Sequence, residues 1–110
     1  KECLNESLKS LESTLKTICD IRGWPYQSVD TARNLINICF QKGLIPSLLQ
    51  TQFSSLRQNL ESGIPTVRNK LGGHVQGSTP QAVPAHFAGY QLHMTASTIL
   101  FLVQSEGLLP

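Results

Sequence analysis

Leu4-Asn5-Glu6-Ser7-Leu8-Lys9-Ser10-Leu11-Glu12-Ser13-Thr14-Leu15-Lys16-Thr17-Ile18 decides the fold class of this chain. Its apolar residues Leu4, Leu8, Leu11, Leu15 and Ile18 return at alternating steps of four and three, which is the seam of an amphipathic helix. A half-buried strand would need alternation at every second position, and no segment of the chain sustains that. The helix should run from Lys1 to about Arg22. Gly23 then occupies the C-terminal cap, and Trp24-Pro25-Tyr26 forms a loop that a helix would not carry. On the polar side, Glu12 and Lys16 stand at i, i+4 in the order that favours an intrahelical ion pair, worth roughly 0.2–0.5 kcal/mol on a solvated surface.

Working outward, Asp30 is a good N-cap for a second helix from Thr31, with Leu35, Ile36, Ile38, Cys39 and Phe40 as its apolar face and Gly43 as its end. Leu44-Ile45-Pro46-Ser47 reads as a connection. Leu48, Leu49, Phe53, Leu56 and Leu60 then repeat at helical spacing until Ser62-Gly63. Ile64-Pro65-Thr66 should open a short separate helical turn bearing Val67, Arg68, Lys70 and Leu71, because proline is tolerated in a first turn, and Gly72-Gly73 should terminate it. From His74 to Pro84 there is no apolar period, so an exposed loop is expected. Pro84 suits the first turn of a last helix reaching about Glu106, with Gly107 as its stop. Its apolar residues, from Phe87 and Tyr90 to Leu102 and Val103, predict that it packs near the centre. The sum is all-α: four principal helices plus a short helical turn, packed as a bundle.

The chain has 110 residues, which fits a single domain over 1–110. Hydrophobic residues at 40% and charged residues at 15% exclude disordered and fibrous classes. Nothing in the sequence resembles a membrane span or signal peptide. A net charge of +2 is too small for binding nucleic acid by field alone, so any RNA contact must be local. Cys3, Cys19 and Cys39 are odd in number, lack short paired spacing and fall among apolar helical positions; they read as reduced core thiols of a cytoplasmic protein. The chain enters a helical pattern at Lys1, which predicts the C-terminal part of a longer protein whose N-terminal region is a partner in the same chain.

Val67-Arg68-Asn69-Lys70-Leu71-Gly72-Gly73-His74 concentrates the chemistry. Arg68 is charged at any working pH and holds two phosphate oxygens in a planar fork, while His74 titrates near neutrality. Asn69 adds a donor and an acceptor, and the two glycines permit a sharp turn that returns His74 towards Arg68. That set suits a phosphodiester. The same residues also fit a helix C-terminus running into a solvated loop.

Arg68-Asn69 followed by His74 resembles the Arg, polar residue, then His signature of the HEPN superfamily of helical ribonucleases. The longer string resembles the C-terminal domain of bacterial abortive-infection (AbiJ-like) proteins. Glu12-Ser13 with Lys16 is similar to that group's Glu-Ser-x-x-Lys pattern, and His86 to its histidine before an Ala-rich apolar run. The resemblance covers essentially the whole chain, with one departure: Val75 follows His74 where glycine is expected. It implies a HEPN-like bundle that forms a homodimer, with two Arg and His pairs facing one cleft. The implied activity is that of an endoribonuclease in phage defence or a toxin-like role. RNA would be cut by 2′-hydroxyl attack, leaving 2′,3′-cyclic phosphate ends without a metal or other cofactor. His74 would act as general base or acid, Arg68 would stabilise the phosphorane, and Asn69 would orient either group. Lys16 and Lys70 would add positive potential, and Glu12 would hold Lys16 or Arg68. The alternative is a noncatalytic module for dimerisation or for sensing a nucleotide or phosphate.

Two further readings weigh less. His74, His86 and His93 with a cysteine lack the carboxylate or Cys-x-x-Cys spacing that completes a metal shell. Trp24 and Tyr26 suit stacking on a base, but an aromatic loop pinned to the bundle explains them more simply, and Tyr90 reads as core.

Overall fold

A computed structural model describes the backbone of residues 2–72 and 84–110, and the side chains of residues 6–61 and 84–110. Four α-helices follow in order: α1 (Glu2–Arg22), α2 (Ala32–Gln41), α3 (Gln50–Gly72) and α4 (Ala85–Gly107), with a 3-10 turn at Ser47–Leu49 leading into α3. The all-α bundle is as the sequence predicts, and no strand occurs among the described residues.

The α1 seam is buried as its spacing requires. Leu11, Leu15, Ile18 and Cys19 meet Leu35, Ile36 and Cys39 of α2, Phe53, Leu56 and Leu60 of α3, and Leu102 of α4 in one core. Phe53 joins α2 to α4 through its ring, with centroids 6.2 Å from Phe40 and 6.1 Å from Phe101 in edge and tilted geometries that favour aromatic pairs. Leu44 and Ile45, which the sequence assigns to a mere connection, are core residues at 3% and 1% exposure.

Both early helices end in the same way. Gly23 and Gly43 take positive φ of 73° and 80°, which lets the next residue fold back. Trp24 N–H then donates to Cys19 O, and Leu44 N–H to Cys39 O, each at 2.9 Å. Gly23 N–H reaches Asp20 O and Gly43 N–H reaches Phe40 O, completing two Schellman caps that satisfy otherwise orphaned carbonyls. The repeated Ile-Cys-x-x-basic-Gly string at 18–23 and 38–43 is therefore one terminator used twice.

Three expectations are corrected. The third helix does not stop at Ser62-Gly63: α3 continues through Pro65 to Gly72, so the predicted separate turn is its last stretch. Pro65 lacks the N–H that would have bonded the carbonyl of Glu61, which is why sequence logic breaks the helix there. Second, α4 is not the central helix. The hub is α1, which packs most extensively on α4 and then on α3 and α2. Among α4 residues only Thr95 and Leu102 are fully buried, whereas Tyr90, Leu100 and Val103 are 63%, 57% and 52% exposed. Tyr90 is thus not core. Third, Gly107 lies within α4, which closes at Leu108 with its N–H directed at the carbonyls of Gln104 and Ser105. The loop expected from His74 to Pro84 falls outside the described residues, save for Pro84, which sits in the N-cap position of α4.

The far ends of α1 and α4 are clamped together. Arg22 Nε donates to Glu106 Oε2 at 2.9 Å, and its two terminal nitrogens donate to Glu106 O at 2.6 Å and Pro110 O at 3.1 Å. Among the described residues, no helix is long and apolar enough to cross a membrane.

Candidate functional site

Glu12 and Lys16 have partners that spacing along one helix does not reveal. Instead of pairing with each other, they hold the segment that returns from α1 to α2. Glu12 Oε2 accepts the backbone N–H of Ala32 at 3.1 Å, at the start of α2, and Lys16 Nζ donates to Ser28 O at 2.9 Å. One turn further on, Asp20 Oδ1 accepts Tyr26 O–H at 2.9 Å. Glu12, Lys16 and Asp20 lie four residues apart, so they form one stripe of α1 along which residues 24–32 run back. As a result α1 and α2 point the same way with residues n and n+20 adjacent, as the contact of Cys19 with Cys39 also shows.

This bracket corrects the N-cap of α2. Asp30 does not cap it with a bond to a backbone N–H of the helix: its carboxylate accepts Gln27 N–H of the loop at 2.8 Å and the side-chain Nδ2–H of Asn34, in the first turn of α2, at 3.2 Å, and Thr31 in the cap position makes no side-chain cap bond. Glu12 supplies from another helix the negative charge that a helix N-terminus favours. Trp24 and Tyr26 are half-buried against the core, the pinned aromatic loop that the sequence suggests. The hydrogen bond to Asp20 raises the Tyr26 pKa above its usual 10.0.

Arg68, Asn69 and Lys70 lie in the final turns of α3. Their side chains lie outside the described residues, as His74 does altogether. Cations there match the negative end of the helix macrodipole. His86 and His93 are exposed on α4, and His86 packs edge-on against Phe87 with centroids 4.8 Å apart. Among the described residues, no three His, Cys, Asp or Glu side chains are grouped as metal ligands. Cys19 and Cys39 are free, buried thiols in contact. Burial raises both pKa values, that of Cys39 from 9.0 to about 12, which suits inert core thiols and not nucleophiles.

A polar cleft between α2 and α3 escapes the sequence reading. Arg33 and Asn37 stand one turn apart on α2, facing Gln50, Ser54 and Arg57 of α3 across a volume of about 200 Å³. Ile36 and Phe40 complete the lining. Arg57 is half-buried and gives one N–H to Glu61 at 2.8 Å. The i, i+4 pair on one helix and the i, i+4, i+7 set on the other were visible, but nothing in the sequence told that these two faces meet.

The fold and the polar motif at the end of the third helix define a class, the small all-α bundle domains with an Arg-Asn-to-His signature. The profile of the Abi_C family, described as a HEPN-like domain, matches residues 1–106. The chain belongs to this family of HEPN-like domains, as its Arg68, His74 and Glu12-Ser13-x-x-Lys16 motifs led us to expect. No curated protein and no solved structure matches it.

Proposed function

We propose that this chain is the endoribonuclease domain of a cytoplasmic abortive-infection or toxin-like protein, cutting RNA without a metal. The reading rests on one observation: a family member carries Arg68-Asn69 and His74 in the family's order, with Arg68 and Asn69 at the end of a long helix. His74 takes the proton of an RNA 2′-hydroxyl as that oxygen bonds to the adjacent phosphorus. The bond from phosphorus to the 5′-oxygen breaks, and a protonated imidazole gives the leaving oxygen its proton. Arg68 offsets the extra negative charge on the phosphorane, and Asn69 orients His74 or the phosphate. The products are a 2′,3′-cyclic phosphate and a 5′-hydroxyl. Lys70 adds positive potential.

A homodimer is part of the proposal. Leu92, Ala96, Leu100 and Val103 share one side of α4 by register and are exposed, as is Ile21 of α1. In a dimer, one His74 acts as base and the partner's His74 as acid. The same surface also suits the second reading, a noncatalytic dimerisation or phosphate-sensing module.

Total RNA digested in EDTA separates the two readings. Cyclic phosphate ends produced by wild type and absent with His74→Ala establish the ribonuclease. A folded dimer that leaves RNA intact establishes the module.

A further inference from the structure

The cleft between α2 and α3 is lined by five polar side chains, two of them guanidinium groups, with no carboxylate among them. Every polar group there has N–H or O–H donors to offer. Arg33 is exposed and has no ion-pair or hydrogen-bond partner among the described residues. Arg57 is held in place by Glu61 through Nη1, which leaves its other N–H groups for a ligand. The chemistry that matches two forks, two amides and a hydroxyl is a group with acceptors only and negative charge, and phosphate fits this best. About 200 Å³ accommodates a phosphate with several waters, each taking about 30 Å³.

Helical register connects the cleft to the proposed active site. Arg57 and Arg68 are eleven residues apart on α3, a separation that in a regular helix amounts to three turns plus about 20° and about 16.5 Å along the axis. A stacked strand rising about 3.4 Å per nucleotide covers that distance in about five nucleotides.

We propose that this cleft is a subsite for a backbone phosphate of the RNA strand, gripping the substrate several nucleotides from the bond that is cut. The inference rests on the ribonuclease reading for its choice of ligand. It explains how a chain with a net charge of only +2 can hold RNA, since the positive charge is placed locally along α3 and α2. Glu61 restrains the site by neutralising part of the Arg57 charge.

The test is fluorescence anisotropy with a short labelled 2′-O-methyl RNA, which cannot be cleaved by 2′-attack, across a salt series. Cleavage of unmodified RNA is followed in parallel. Arg33→Gln and Arg57→Gln should each weaken binding roughly tenfold and make the salt slope shallower by about 0.7 for the lost phosphate contact. Glu61→Gln should tighten binding, an effect that a folding defect does not mimic. Cleavage by wild type with affinities and slopes unchanged in all three variants overturns the subsite and leaves the ribonuclease standing. Binding that depends on Arg33 and Arg57 without any cleavage supports the subsite and overturns the ribonuclease. Neither binding nor cleavage by the folded wild type overturns both.

Discussion

Glu12→Ala removes the carboxylate that, among the described residues, accepts a backbone N–H at the start of α2, where Thr31 offers no side-chain bond of its own. Losing an N-terminal cap costs about 1 kcal/mol, and losing a carboxylate from the positive end of the helix adds roughly 0.3–1 kcal/mol. The expected destabilisation is therefore about 1–2 kcal/mol. For a domain of this size that lowers Tm by roughly 5–12 °C. Glu12→Gln retains an acceptor oxygen and loses only the charge, so its penalty should be the smaller part, about 0.3–1 kcal/mol. Urea and thermal melts followed by circular dichroism measure both variants, with RNA cleavage assayed on each well below its Tm. The bracket predicts graded stability loss and near-normal cleavage by the molecules that remain folded. If Glu12→Ala melts with wild type and cleavage collapses, Glu12 serves the reacting site instead, and the structural argument is refuted.

Leu15→Ala, at 0% exposure, should cost about 2–5 kcal/mol through a cavity, whereas Leu100→Ala at 57% exposure should leave monomer stability within about 0.5 kcal/mol in chemical denaturation. If the exposed α4 face joins two copies, Leu100→Asp should instead lower the sedimentation coefficient at tens of micromolar, the concentration at which a dimer with a Kd of about 1 μM is populated. Burial holds the Cys39 thiol protonated up to about pH 12, against 9.0 when unfolded, so the unfolded chain binds fewer protons in that window. The stability this contributes is complete below about pH 9 and is lost as pH rises towards 12. Urea midpoints should thus fall less steeply between about pH 8 and pH 10.5 in Cys39→Ala than in wild type. Glu106→Gln keeps an oxygen for Arg22 Nε and leaves both backbone bonds of the fork in place but removes the carboxylate charge, so it should lower stability by less than about 1 kcal/mol in the same melts.

The sequence was most legible where one side of an element alone meets the core. Leu11, Leu15 and Ile18 mark α1 because the opposite side is polar, and Gly23 and Gly43 mark helix ends because only glycine adopts those turns cheaply. Legibility failed where local signals and the folded chain disagree. Gly63 and Pro65 carry the signals of a break, yet α3 passes through them. α4 is apolar on nearly every side, so its composition did not reveal which side is covered. The Arg68-Asn69 and His74 motif was readable because it is contiguous. The bracket and the phosphate cleft were not, since Glu12 acts on Ala32 and Arg33 faces Arg57 across distances that only the folded chain sets.

The Arg22 clamp has a consequence for how the chain assembles. Its contacts to Glu106 and Pro110 span 84 and 88 residues, whereas the Glu12 contact to Ala32 spans 20. Loop closure scales as (3/2)RT ln n, so the clamp starts about 1.3 kcal/mol further uphill than the bracket. The first two helices and the strap between them should organise early, and α4 should dock late, when the clamp closes its loop of 84 residues. Destabilising the clamp would then speed unfolding far more than it slows folding, while weakening the bracket would slow folding itself.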